Sequence, residues 1–182
     1  ATLVSFYLLK KNEMKNYSSK NLILNNSDIS KKIQRIALQI IEDNFEESEV
    51  KLFGISNNGN TIAQKIIKNI KKRSDLKTEL IQVILDKGNP IESIDFNEEF
   101  DVKGKSILII DDVLQSGITM QSVISNLIKY KPKKIKTVVI VNRDQTLFPV
   151  KIDFSGISLS TSVDETINLI IEKNGEINLY LS

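Results

Sequence analysis

The sequence predicts an α/β domain: a central, mostly parallel sheet flanked by helices, with a small hood and a C-terminal β-hairpin. Three observations carry this. Strand-like runs alternate with amphipathic helical runs along residues 22–141. One of them, SILII at 106–110, reads as a strand buried on both faces, as parallel strands are. Near the end, Asn174–Gly175 separates two further runs, which is a type I′ hairpin signal.

Taken in order, residues 22–25 (LILN) read as a short strand, and Ser27 and Asp28 offer a helix N-cap. Ile29, Ile33, Ile36, Ala37, Ile40 and Ile41 then recur at helical spacing, which predicts an amphipathic helix over 28–44. Residues 50–55 (VKLFGI) form a strand, SNNGN a polar loop, and Ile62, Ala63, Ile66, Ile67 and Ile70 mark the next helix. Strand 78–85 (TELIQVIL) follows. Residues 86–104, with Gly88, Pro90 and many acids, form a loop or hood. After strand 106–110 come helix 118–130, a break at Lys131–Lys134 with Pro132, and strand 135–141. The hairpin strands are 166–172 and 177–181. Residues 1–20 are expected to extend a single domain of residues 21–182.

Composition narrows the chemistry. The chain has no Cys and no His. Disulfides, thiol catalysis, histidine zinc sites and Ser–His–Asp hydrolysis are therefore out. Carboxylates, Lys, Arg, hydroxyls and backbone amides remain, and a hard cation such as Mg²⁺ suits that set best. Cations are almost all Lys, with Arg only at 35, 73 and 143. The net charge of +2 neither demands nor excludes a nucleic acid. No apolar run is long enough to span a bilayer. The N-terminal apolar stretch precedes its lysines, the reverse of a secretory signal, and Met14 offers an alternative start. Together with the lack of Cys, this makes the cytoplasm the expected compartment.

The chemistry-bearing segment is ILIIDDVLQSGIT, residues 107–119. Asp111 and Asp112 stand where the buried strand is expected to end. Adjacent carboxylates beside a core destabilise it unless a ligand hydroxyl pair or a metal ion pairs with them. Gln115, Ser116, Gly117, Ile118 and Thr119 follow. Gly117 lets the backbone approach a ligand, and amides at the start of the next helix favour an anion. One end suits hydroxyls or metal and the other suits a phosphate, and a 5-phosphorylated ribose has both. A P-loop is excluded, because GxxxxGK[ST] is absent. A phospho-acceptor receiver domain is excluded too, because there the acidic strand opens the domain.

This segment resembles the ribose-phosphate signature of type I phosphoribosyltransferases. The resemblance spans roughly residues 21–182 and is strongest to the PyrR group, pyrimidine-operon attenuators with uracil phosphoribosyltransferase activity. KIQRIALQIIEDN looks like the family's first helix, LFGISNNGN stands at its pyrophosphate loop, VNRDQTLFPVKIDFSGISLSTS looks like its base-binding stretch, and EKNGEINLYLS matches its closing hairpin. The resemblance implies that Asp111 and Asp112 are catalytic, holding the 2- and 3-hydroxyls of phosphoribosyl pyrophosphate (PRPP) with Mg²⁺ close by. It implies that Leu114, Gln115, Ser116, Gly117, Ile118 and Thr119 wrap the 5-phosphate, and that Ser56, Asn57, Asn58 and Gly59 face the pyrophosphate. Asn142 and Arg143 would line the base pocket, Phe154 would stack on the base, and the Ser155 backbone would bond to it. The expected reaction transfers phosphoribose to a nucleobase. Gln115 replaces the general-base carboxylate of hypoxanthine-type relatives, which favours uracil.

The chain departs from the pattern at its cations. Ser56, Asn57 and Asn58 include no basic residue, Ile118 replaces an Arg, Gln145 and Thr146 replace a His–Arg pair, and Lys87 is the nearest substitute for a hood Arg. Losing one contact to a developing anion costs on the order of a hundredfold in rate. The alternative expectation is a nucleotide-sensing regulator, RNA-binding or not, that keeps the pocket with slow turnover. Lys65, Lys68 and Lys72 on one helix face, and Lys131, Lys133, Lys134 and Lys136, read first as solvated faces rather than an RNA surface. By the same resemblance the chain is expected to form a homo-oligomer.

Overall fold

The computed structural model describes residues 21–86, 89, 91–160 and 165–182. The expected N-terminal extension, the hood positions Lys87, Gly88 and Pro90, and residues 161–162 of the base-binding stretch lie outside the described residues. In chain order the elements are β1 (Asn21–Leu24), α1 (Asn26–Asp43), β2 (Glu49–Ile55), α2 (Ser56–Lys71), β3 (Lys77–Leu85), β4 (Ile94–Phe96), β5 (Ser106–Leu114), α3 (Ile118–Leu127) with a 3-10 turn at Ile128–Tyr130, β6 (Lys134–Arg143), β7 (Phe154–Leu159), β8 (Ile167–Ile171) and β9 (Ile177–Leu181). They fall into two compact units, one from residues 21–28 and 165–182, the other from residues 29–160.

In the larger unit six strands lie in the order β4-β3-β2-β5-β6-β7. Neighbours from β3 to β7 run parallel, and only β4 is antiparallel. Alternation along the strands divides their side chains between two faces. One face carries Phe53, Ile55, Ile81, Val83, Ile107, Ile109 and Val139, which pack with Met120, Val123 and Leu127 of α3. α2 packs on β2, β3 and β5. The expected hood includes the short strand β4. Its rings Phe96 and Phe100 meet Phe53 edge-on at 5.9 and 5.0 Å, which ties the hood to the core.

In the smaller unit β1, β9 and β8 form an antiparallel sheet. The expected hairpin is there, but its turn is not type I′, which needs positive φ at both central residues. Gly175 is left-handed (φ 82°) and Asn174 is not. The Gly175 amide donates to the Glu172 carbonyl, and the Glu176 amide donates to the Asn174 side chain. This is a three-residue loop closed by a glycine bulge. The Asn174 side chain does locally what a positive φ would otherwise do.

Four further expectations are corrected. The N-cap of α1 is Asn25, whose Oδ1 accepts the Asp28 amide at 3.0 Å, rather than Ser27 or Asp28. SNNGN is no loop: α2 begins at Ser56, directly after β2. The acidic strand does not stop at residue 110. It runs to Leu114, because β6 is long enough to pair with it through Leu114↔Asn142, whereas β2 last pairs at Gly54↔Ile110. Finally, residues 154–159 form an edge strand, where sequence reading placed only a binding stretch.

The loop before β7 is fixed by Asp153, and this makes a prediction. Burial pushes its carboxyl up. Bonds from the Thr137 amide and the Lys136 ammonium outweigh burial and hold it below the usual aspartate value. A depressed folded-state pKa stabilises the fold above the unfolded value, and the benefit is lost as pH falls through the folded value. Melting curves below pH 4 should therefore show the wild type losing its advantage over Asp153→Asn, with the two converging as the carboxyl protonates. A gap independent of pH would contradict this role.

Candidate active site

The site is built where β2 ends and its neighbour β5 runs on past it. Gly54 of β2 sits in register with Gln82 of β3 and Ile110 of β5. The first turn of α2 lies directly on this row. A Cβ on Gly54 would come within 2.6 Å of the Asn60 Cα, and one on Gly59 would overlap the Ile110 carbonyl oxygen. Two glycines, one on each surface, are what let the helix backbone touch the sheet backbone. Ser56 makes the turn from strand to helix with φ 53°, a left-handed conformation that is uncommon for a residue with a side chain.

This packing brings the two expected half-sites together. Asp112 follows Ile110 on the α2 face, and its Oδ2 accepts a bond from the Asn58 side-chain Nδ2 at 2.7 Å. Its Oδ1 accepts the Val113 amide, and Asp111 Oδ1 accepts the Asp112 amide, both at 2.9 Å. Asp111 is buried, with 5% of its surface exposed. The acids thus sit three and two residues before the end of a strand, pre-positioned by local bonds, on the part of β5 that extends past β2.

The 5-phosphate segment is set by Gly117, left-handed at φ 86°. A side chain there would also come within 3.0 Å of the Phe148 carbonyl oxygen. The Leu147 and Phe148 amides both donate to the Ser116 carbonyl at 3.0 Å, so residues 147–148 strap this loop in place. Sequence reading missed that strap, since backbone bonds leave no residue-type signal. The N-cap residues, Ile55 of α2 and Gly117 of α3, make no side-chain cap bond, and at α3 the Ser116 hydroxyl accepts the Ile118 amide at 3.4 Å. Two helix N-termini therefore flank the acidic pair, each presenting first-turn amides and the positive end of its dipole.

The base-side residues divide. Asn142 and Arg143 end β6, at the level of Leu114, and Asn142 Nδ2 lies 3.4 Å from Ser158 Oγ. Phe154 and Ser155 are not brought there. Phe154 is 8% exposed at the amino end of β7, opposite Val138. The Ser155 carbonyl accepts the Arg35 guanidinium at 2.8 Å. Residues further along β7, such as Ser158, stand level with Asn142 instead. Position along an unexpected strand decides this, and sequence reading had no strand there to place them on.

The donor set for a cation is small. Among the described residues no three carboxylate-type ligands gather to hold a metal ion. Two adjacent carboxylates suit an ion that arrives already bound to substrate phosphates.

A fold with this site defines a class, and sequence comparison agrees. The phosphoribosyl transferase domain model matches residues 19–169, and the chain belongs to that family of enzymes. It is similar to the bifunctional protein PyrR of Clostridium novyi (strain NT), 30% identical over 163 residues, which covers 85% of this chain and 92% of that one. It is also similar to the bifunctional protein PyrR of Elusimicrobium minutum (strain Pei191), 29% identical over 178 residues, covering 88% and 95%. Among solved structures, a hypoxanthine-guanine phosphoribosyltransferase from Bacillus anthracis superposes with TM-score 0.66 at 18% identity, covering 81% of this chain and 86% of that one. The hypoxanthine phosphoribosyltransferase of Trypanosoma cruzi gives 0.73 at 11% identity, covering 87% and 95%. At such identities these two show the fold alone.

Gly59 supplies the sharpest mutational test of this geometry. Gly→Ala inside a helix ordinarily gains about 1 kcal/mol. Here the new methyl meets the Ile110 carbonyl, and overpacking of that kind costs about 1–3 kcal/mol. Urea denaturation should find Gly59→Ala less stable than wild type. A more stable variant would mean that α2 does not rest on β5.

Proposed function

We propose that the chain transfers the 5-phosphoribosyl group of PRPP, taken as its Mg²⁺ complex, to uracil, giving UMP and pyrophosphate. The observation that carries this reading is the acidic pair on the overhanging end of β5, flanked by the N-termini of α2 and α3. PRPP has the matching order of groups: a phosphate, two ring hydroxyls and a pyrophosphate.

In this reading the amides of residues 115–119 take the 5-phosphate, and Asp111 and Asp112 take the ring hydroxyls. The first turn of α2, Ser56 to Gly59, faces the pyrophosphate. Asp111 or Asp112 would hold Mg²⁺ together with the substrate phosphates, and the ion would supply positive charge to the leaving group. The bond from the anomeric carbon to pyrophosphate breaks, its electron pair leaves with pyrophosphate, and a bond to uracil N1 forms as that nitrogen loses its proton to solvent. Positive charge grows on the sugar during the step, and the two carboxylates stabilise it. On the leaving-group side no lysine is present in Ser56–Asn58. The dipole of α2, worth roughly half a unit charge at its end, takes part of that role.

Support for uracil comes from Gln115, which offers no carboxylate base for a purine, and from the PyrR relatives. Asn142 and Arg143 are the base-side residues the geometry favours. Cytoplasmic residence and self-association belong to the same proposal, the first supported by the lack of Cys and the second by the resemblance. RNA binding is weaker: of the second Lys group, Lys133 pairs with Glu47, Lys134 with Asp43, and Lys136 with Asp153. The neutral residues at 56–58 and at Ile118 favour a second reading, a PRPP or nucleotide sensor with slow turnover.

Incubation with Mg²⁺, PRPP and labelled nucleobases, alongside calorimetry with PRPP, separates the readings. Uracil should be converted to UMP ahead of hypoxanthine and guanine. Binding without turnover of any base would establish the sensor instead. The double change Asp111→Asn, Asp112→Asn should abolish measurable PRPP affinity, and unchanged affinity would refute the site.

A further inference from the structure

The first turn of α2 is held from both sides, and one of the holders belongs to no assigned site. On the β5 side Asn58 bonds to Asp112. On the β3 side Gln82 Nε2 donates to Asn57 Oδ1 at 3.1 Å. Gln82 is the register partner of Gly54, so its side chain leaves the sheet beside the glycine on which the turn rests. Its own backbone is fixed by the hood. The Gln82 amide donates to Asn97 Oδ1 at 2.7 Å, and the Asn97 amide donates to the Gln82 carbonyl at 3.1 Å. A chain of polar contacts therefore runs from the hood, through Gln82, to the turn, and from the turn to Asp112.

We propose that Gln82, anchored by Asn97, is a positioning residue for the pyrophosphate end of the reaction: it sets where the Ser56–Gly59 amides stand relative to Asp112. This rests on the reading of that turn as pyrophosphate-facing. Three features of the geometry support it. The turn starts at a left-handed Ser56, a conformation that persists only when its surroundings hold it. No side chain caps the turn, so its aim depends on lateral contacts. Ser56, Asn57 and Gln82 also line one small cavity, of about 180 Å³, that opens beside the turn. With no cation at residues 56–58, aligned amides carry more of the work, and their alignment matters accordingly.

The test compares two ligands that differ only in pyrophosphate: PRPP with Mg²⁺, and ribose 5-phosphate. Gln82→Leu keeps the volume and removes the donor. It should weaken PRPP binding roughly three- to tenfold, the worth of one neutral hydrogen bond, and leave ribose 5-phosphate unchanged. Asn97→Ala should act in the same direction. Gln82→Leu on top of Asn57→Ala should add little, because both remove one contact. Equal weakening of both ligands, no weakening of either, or full additivity would overturn the assignment. Asp112→Asn run in parallel should weaken both ligands. If it weakens neither, or if the wild type binds neither, the reading of the site fails, and the role of Gln82 with it.

Discussion

The contact of the α2 backbone with the sheet backbone is the constraint on which the site depends. It occurs over one row, Gln82–Gly54–Ile110, and it is possible because Gly54 and Gly59 carry no side chain. From it follow the depth at which α2 begins, the approach of Asn58 to Asp112, and the position of Asn57 beside Gln82. A helix resting one side-chain thickness higher would leave its first-turn amides too far from the acids to share a ligand with them. Both glycines are fully part of packed elements, so their role is closeness rather than flexibility.

The charge arrangement follows the direction of the strands. Ion pairs collect at the amino ends: Lys51 with Glu79, Lys105 with Glu49, Lys134 with Asp43. Lys51 is buried, and the other two pairs are half-buried. These three lysines are thereby held by acids at the end of the sheet away from Asp111 and Asp112. At the carboxyl ends the acids Asp111 and Asp112 lie between the N-termini of α2 and α3. In the proposed reaction, aligned amides of this kind would need no reorganisation as charge moves onto the leaving group.

Much of this was legible in the sequence, for identifiable reasons. Ile29 to Ile41 and Ile62 to Ile70 spelled out helices because their spacing is set by one face of burial. The segment ILIIDDVLQSGIT marked out in advance the acids and the glycine turn that lie between β5 and α3. What stayed hidden depended on partners elsewhere in the chain. The strand runs past Asp111 because β6 is long. Asn25 caps α1 because the helix starts earlier than its apolar pattern does. Ser56 is left-handed without being glycine, so no residue type announced the sharp turn. Phe154 was read as a stacking ring, yet it is buried at the amino end of an edge strand. Residue type suggested a role that its level along the strand does not support.

The central claim is that one continuous surface, from the α3 amides across Asp111 and Asp112 to the first turn of α2, holds PRPP. A crystal structure of the complex with PRPP and Mg²⁺ tests it most directly. The account predicts the 5-phosphate within hydrogen-bonding distance of the amides of residues 116–119, the ribose hydroxyls on Asp111 and Asp112, and the pyrophosphate against Ser56–Gly59. A ligand bound elsewhere, or bound here with its pyrophosphate turned away from α2, would contradict it.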